Sequence, residues 1–129
     1  MKAFILFLLI VFVVWDFGWM AAGVKPLFPW ELKKELAGET PPLLLDVRTP
    51  AEYALFHIPG ALNRPQALTD DSVLKDIPRD RRVVVVCMTG HRSPFVVKKM
   101  QSMGFTNAVN LTWGSLGWLL SGGETVRGG

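Results

Sequence analysis

"VVVVCMTGHRSP", Val83 to Pro94, is the stretch whose reading decides the fold. Four β-branched residues in succession leave no polar face. They predict a strand over 81–87 buried on both sides, as a central strand of a parallel sheet is. A short loop holding Gly90 follows. "SPFVVKKMQSMG" then reads as an amphipathic helix stopped by Gly104. Strand, loop and helix in that order are one unit of an α/β fold.

The pattern repeats on either side. "PPLLLDV" predicts a buried strand over 43–47. "TPAE" opens a short helix ending near Phe56, with Thr49 as N-cap, Pro50 in the first turn and Glu52 completing a capping box. "IPGALN" is a turn leading to a brief strand over 61–63. "LTDDSVLKDI" predicts a helix capped by Thr69 or Asp70. "NAVNL" is a further strand and "GSLGWLLSG" a last helix. Upstream, "PWELKKELAG" predicts a helix over 30–37 with Leu32 and Leu36 on one face and Gly38 as its stop. "KPLFPW" reads as a Pro-broken linker. Strands alternating with helices through short loops predict a parallel sheet covered on both faces. Ligands of such sheets gather at the carboxyl ends of the strands, and Cys87 lies at the end of the most central one.

With 129 residues the chain is long enough for one domain. Its apolar excess sits at the start, where "AFILFLLIVFVVW" has no charge. Residues 1–23 are expected to be a hydrophobic membrane anchor or signal segment, followed by a linker over 24–29, the α/β domain over 30–123 and a tail over 124–129. Lys2 and the small residues "AAG" before Val24 fit an export signal. An uncleaved span needs roughly 20 residues, which brings in Asp16 near one end, where a charge reaches the interface. By count, Lys25, Lys33 and Lys34 outnumber Lys2 and favour a cytoplasmic domain. A short N-terminal tail before an apolar core is how exported chains begin, and long domains cross largely regardless of charge. The expectation is therefore a membrane-anchored domain on the extracytoplasmic, periplasmic side. Its alternative is secretion to the periplasm after cleavage near Val24.

The net charge is +3, and the densest basic run, "KDIPRDRR", is interspersed with acids and lacks aromatic residues. It reads as a solvated loop, so no nucleic-acid partner is expected. One cysteine excludes an internal disulfide and a multi-cysteine metal site. His57 and His91 show no ligand spacing, so no metal is expected.

A lone cysteine is commonly a small buried hydrophobe. The position of Cys87 argues otherwise. A strand–loop–helix turn aims backbone N–H groups into the loop, and Gly90 permits the positive φ such a turn often needs. A thiolate in that nest, near Arg92 and His91, would be a nucleophile at neutral pH. Cysteine phosphatases and arsenate reductases close a loop one residue longer around a tetrahedral oxyanion. The shorter ring from Cys87 to Arg92 suits a single sulfur atom better than a bound phosphate.

From about Trp30 to Gly123 the chain resembles the rhodanese family of sulfurtransferases. Three motifs carry the resemblance. "LLLDVRTPAEYALFHIPGALN" is similar to the family's first signature, with Asp46, Arg48, Glu52, His57, Ile58, Pro59, Gly60, Ala61 and Asn63 in place. The loop Cys87 to Arg92, followed by Ser93, is similar to its active loop. "GFTNAVNLTWGSLGWLLSGG" matches its closing pattern at Gly114 and Trp118. The chain departs from the family at Phe56 and Trp113, where glycines are usual, and at Met88, where thiosulfate-using members often carry a base.

The resemblance implies a rhodanese-like fold with a five-stranded parallel sheet. It also implies ping-pong chemistry without metal or organic cofactor. Cys87 would take a sulfane sulfur from thiosulfate or a persulfide and pass it, as a Cys87 persulfide, to cyanide or a thiol, with a protein thiol as one form of partner. The backbone of Met88, Thr89, Gly90, His91, Arg92 and Ser93 would hold the substrate sulfur. Asp46, Arg48, Glu52 and His57 read as bracing groups, and His91 as equally suited to touching substrate. The alternative is a non-catalytic binding module at the membrane that keeps the fold. A phosphatase stands third.

Overall fold

A computed structural model of the chain describes residues 1–128. Val83–Val86 forms β4, the middle strand of a five-stranded sheet in the order β1-β5-β4-β2-β3. Its companions are β1 (Pro26–Leu27), β2 (Leu43–Asp46), β3 (Leu62–Asn63) and β5 (Ala108–Leu111). Every pairing is parallel. The helices are α1 (Lys2–Ala21), α2 (Pro29–Leu36), α3 (Pro50–Leu55), α4 (Ser93–Ser102) and α5 (Gly114–Leu120).

The valines of β4 alternate between two cores, as the two-residue period of a strand requires. Val83 and Val85 pack with Val96, Val97 and Met100 of α4, and Cys87 continues that face. Val84 and Val86 point the other way, into a core with Leu32 of α2 and Trp118 of α5. None of the four valines has exposed surface. Each contributes about 1.5–3 kcal/mol through burial, which is why this run can afford no polar residue.

Three expectations need correction. Residues 24–29 are no linker. Val24 and Leu27 are buried, and Pro26–Leu27 pairs with β5 at the sheet edge. Proline lacks the N–H of a central strand but is tolerated at an edge. The stretch beginning at Thr69 forms no α-helix. A 3-10 turn, Asp71–Leu74, stands there, after another at Pro65–Leu68. Arg64 Nη1 donates to the Val73 carbonyl at 2.5 Å, the oxygen that an α-helix would have given to the Ile77 N–H. That N–H turns to Leu74 O at 3.2 Å instead. Finally, residues 124–128 are held to the domain. His57 and Val126 exchange backbone hydrogen bonds, and the Trp118 indole donates to Glu124 O at 2.8 Å.

The N-terminal apolar helix α1 has one partly covered face, formed by Phe12, Trp15, Asp16, Trp19 and Met20. These positions follow the helical repeat. Trp19 meets Phe95 of α4 edge to face, with ring centroids 4.8 Å apart. Residues 2–11 are exposed all round.

The tightest backbone approach is at Gly114, where a Cβ would stand 2.4 Å from Cys87 O and φ is +62°. Gly114→Ala is expected to destabilise the domain by at least about 2 kcal/mol, from the left-handed backbone and the clash together. Chemical denaturation measures it. A change below half that value would show that β4 and α5 can separate without cost.

Candidate active site

Cys87 leaves the carboxyl end of β4 and is wholly buried. Its sulfur receives the Gly90 N–H at 3.0 Å and the Arg92 N–H at 3.4 Å. The Ser93 hydroxyl lies 3.3 Å away. Gly90 has φ +88°, and a Cβ there would come within 3.0 Å of Trp113 N. The loop therefore folds back over the sulfur only because this residue has no side chain. Two backbone donors and a hydroxyl thus converge on one sulfur.

The first turn of α5 holds the loop from behind. Ser115 N–H donates to Cys87 O at 2.8 Å and Leu116 N–H to Met88 O at 2.9 Å. Ser115 Oγ reaches Cys87 O as well. The Ser93 hydroxyl also contacts Asn110 Oδ1 of β5. Having a single proton, it can donate to only one of sulfur and amide oxygen at a time. The sequence reasoning missed Asn110 and Ser115. Both lie at or just beyond the carboxyl end of β5, so the rule that selected Cys87 would have found them.

Arg92 turns outward and forms a two-pronged ion pair with Glu52 of α3, at 2.9 Å on each prong. Glu52 also closes the capping box on Thr49, accepting the Thr49 N–H at 3.1 Å. The hydrogen bonds from Arg92 pull the Glu52 carboxyl down from 4.5 to about 2, with Thr49 helping. The same bonds raise the Arg92 pKa, so it keeps its charge.

Arg48 is fully buried. Its guanidinium forks onto Asp46, with Nη2 2.9 Å from Oδ2. It also donates to Glu52 O at 3.2 Å and Phe56 O at 2.6 Å. The Phe56 ring lies over it, 5.2 Å from the guanidinium carbon. Asn63 ties the two ends of the turn by donating to Asp46 O and Arg48 O. His57 stacks on Tyr53, centroids 3.7 Å apart, and its Nδ1 faces Tyr53 O at 2.9 Å. Asp46, Arg48 and Glu52 thus gather beside the loop, while His57 braces the turn after α3.

His91 takes a different place. Its Nδ1 meets Thr89 Oγ1 at 2.6 Å, and its ring packs against Phe12 and Trp15 of α1, centroids 4.7 and 5.8 Å apart. Met88 Sδ turns toward Ser115 Oγ and Arg48 Nη1, at 3.9 and 4.0 Å. Trp113 sits at φ +66°, a conformation glycine adopts at no cost. Its ring is kept there by Phe28 and Trp30, at 5.3 and 5.9 Å. Among the described residues, no three His, Cys, Asp or Glu side chains are grouped to hold a metal ion.

The rhodanese-like domain family matches residues 29–121. The chain belongs to the rhodanese-like domain family. A sulfurtransferase of Allochromatium vinosum is 37% identical over 91 residues, covering 70% of this chain and 84% of that one. A "Probable adenylyltransferase/sulfurtransferase MoeZ" of Mycobacterium tuberculosis is 36% identical over 107 residues, 82% of this chain. The match spans only 27% of MoeZ. The crystal structure of a rhodanese-like domain protein from Staphylococcus aureus superposes with a TM-score of 0.72 at 31% identity, covering 82% of this chain and all of that one. The expected fold class, a rhodanese-like five-stranded parallel sheet with helices on both faces and an N-terminal hydrophobic helix, is the one found.

The lowered Glu52 carboxyl makes a pH prediction. A depressed folded pKa gives stability that is present above the unfolded value of 4.5 and lost as pH falls through about 2. Glu52→Gln should therefore be less stable than the native chain at pH 6, and the gap should close across that acid window. Denaturant midpoints at stepped pH measure it. A gap independent of pH would mean the ion pair contributes nothing.

Proposed function

We propose that this protein is a rhodanese-type sulfurtransferase that carries a sulfane sulfur on Cys87. The observation that carries the reading is the convergence of the Gly90 and Arg92 amides and the Ser93 hydroxyl on one sulfur, at 3.0, 3.4 and 3.3 Å. Sulfurtransferase relatives of this family, one of them matched over 84% of its length, support it.

In the first half-reaction the Cys87 thiolate attacks the outer sulfur of the donor, which is thiosulfate or a persulfide. A Cys87–sulfur bond forms and the donor's sulfur–sulfur bond breaks. The electron pair leaves on sulfite or on the donor thiolate. The loop amides then hold the persulfide as they hold the thiolate. In the second half-reaction cyanide or a thiol, of a small molecule or a protein, attacks the outer sulfur and frees Cys87. Met88, Thr89, Gly90, His91, Arg92 and Ser93 form the substrate loop, and Asp46, Arg48, Glu52 and His57 support it.

We further propose that residues 1–23 anchor the chain in a membrane with the domain on the periplasmic side. The support is α1 itself, 20 residues long with mean hydropathy 2.3. Protease added to cells stripped of any outer membrane should digest the domain. Digestion only after lysis would place it in the cytoplasm, and a shortened product before digestion would mean cleavage near Val24.

For the chemistry, intact mass after incubation with several sulfane donors should rise by one sulfur atom. Cys87→Ser should abolish the gain without loss of fold. A native chain that gains no sulfur from any donor would favour the binding module, and turnover of the serine variant would remove Cys87 from the mechanism. Arg92→Ala leaves Glu52 as an unpaired carboxylate beside the loop. It should slow loading from the dianion thiosulfate more than from an alkyl persulfide of lower charge, by about tenfold to a hundredfold. Equal losses with both donors would make Arg92 purely structural.

A further inference from the structure

The loop presents little free positive charge to a substrate. Arg92 is the one permanently charged cation from Cys87 to Ser93, and Glu52 neutralises it through two prongs. Arg48 is spent on Asp46 and on backbone carbonyls. Met88 is uncharged and turned toward Ser115 and Arg48.

Beside the loop, a groove of about 450 Å³ is lined by Thr89 and Ser121 and is otherwise apolar. Trp30, Trp113, Leu116 and Leu120 form its walls, and Phe12 of α1 closes one side. No Lys, Arg, Asp or Glu lines it. The volume suits a small ligand rather than a folded partner. It touches the substrate loop two residues from Cys87. The residues around it are held by contact: Trp113 packs on Phe28 and Trp30, and the backbone of Leu116 is tied to the loop through its N–H to Met88 O.

We propose that this groove selects the sulfur acceptor and that the acceptor is a small, uncharged thiol with an apolar body. The inference rests on the sulfurtransferase reading and deepens it. The acceptor's body lies against Trp30, Trp113 and Leu116, with its sulfur toward the loop. That sulfur attacks the outer sulfur of the Cys87 persulfide anion. A new sulfur–sulfur bond forms, the bond to Cys87 Sγ breaks, and its electron pair returns to Sγ as the thiolate. The thiol's proton leaves on the product persulfide. The transferred sulfur keeps its oxidation state, so no oxidant or reductant is needed.

The test uses the full chain in detergent. Cys87 is loaded with sulfur, and its loss is followed by intact mass after adding phenylmethanethiol or 2-sulfanylethanol, each rate being expressed per thiolate present. The native chain should prefer the aromatic thiol by about tenfold or more, the usual scale of discrimination by an apolar pocket. Leu116→Glu should reduce that ratio several-fold. Leu120→Ser, a change at a largely exposed wall position, should reduce it less. A native ratio near one, or a ratio unchanged in both variants, would overturn the proposal while leaving sulfur transfer intact. Failure to load Cys87 from any donor, seen before an acceptor is added, would overturn both together.

Discussion

A guanidinium without exposed surface must satisfy its charge and its donors inside the protein. Arg48 does so by reaching three separate pieces of chain: the end of β2 through Asp46, the first turn of α3 through Glu52 O, and the turn after α3 through Phe56 O. Removing one member of a buried pair costs about 3–5 kcal/mol, because the other is left charged in a poor solvent. The geometry of α3 therefore follows from this one side chain. Glu52 is delivered by α3, and Glu52 in turn holds Arg92 at the far end of the cysteine loop. A force balance buried between β2 and α3 thus sets the outer edge of the site.

The inner edge is set mainly by backbone. Cys87 O and Met88 O are taken by the first turn of α5, while the N–H groups of Gly90 and Arg92 point at the sulfur. Carbonyls face away from the thiol and amides face toward it. That separation of backbone dipoles puts positive potential on one atom without adding a charged side chain. It needs glycine at Gly90 and Gly114, because each is approached too closely for a side chain and each has a positive φ.

Much of this was legible in the sequence, for reasons that differ between segments. β4 was readable because four valines allow no other burial. The α3 capping box was readable because its chemistry is local, and Thr49 and Glu52 meet as their spacing demands. What failed was decided by distant partners. Pro26–Leu27 looked like a linker because a two-residue edge strand has no pattern of its own and exists only beside β5. The helix expected after Thr69 was broken by a guanidinium from Arg64, outside the segment. At the site, motif positions such as Arg48 and Ser93 were visible, while Ser115 acts through its backbone N–H and Asn110 through a contact across the sheet. Their place at the carboxyl end of β5 was readable, but neither contact has a local signature.

α1 is the place where local and tertiary demands conflict. Its composition suits a bilayer, whose apolar core of about 30 Å takes roughly 20 residues. Its contacts suit the domain, since Phe12 and Trp15 lie on His91 and Trp19 on Phe95. One helix cannot satisfy both along its whole length. Docked from Phe12 onward, it leaves residues 2–11 free, about 15 Å at 1.5 Å per residue, enough for one leaflet. Crossing both leaflets would draw Phe12 and Trp15 off His91 and open the side of the groove that Phe12 closes. The docked state carries its own cost, because the Trp15 indole N–H is buried without an acceptor among the described residues, a loss of about 1–3 kcal/mol. The contact between α1 and the loop therefore carries a penalty of its own. The remaining walls of the groove all come from the α/β domain.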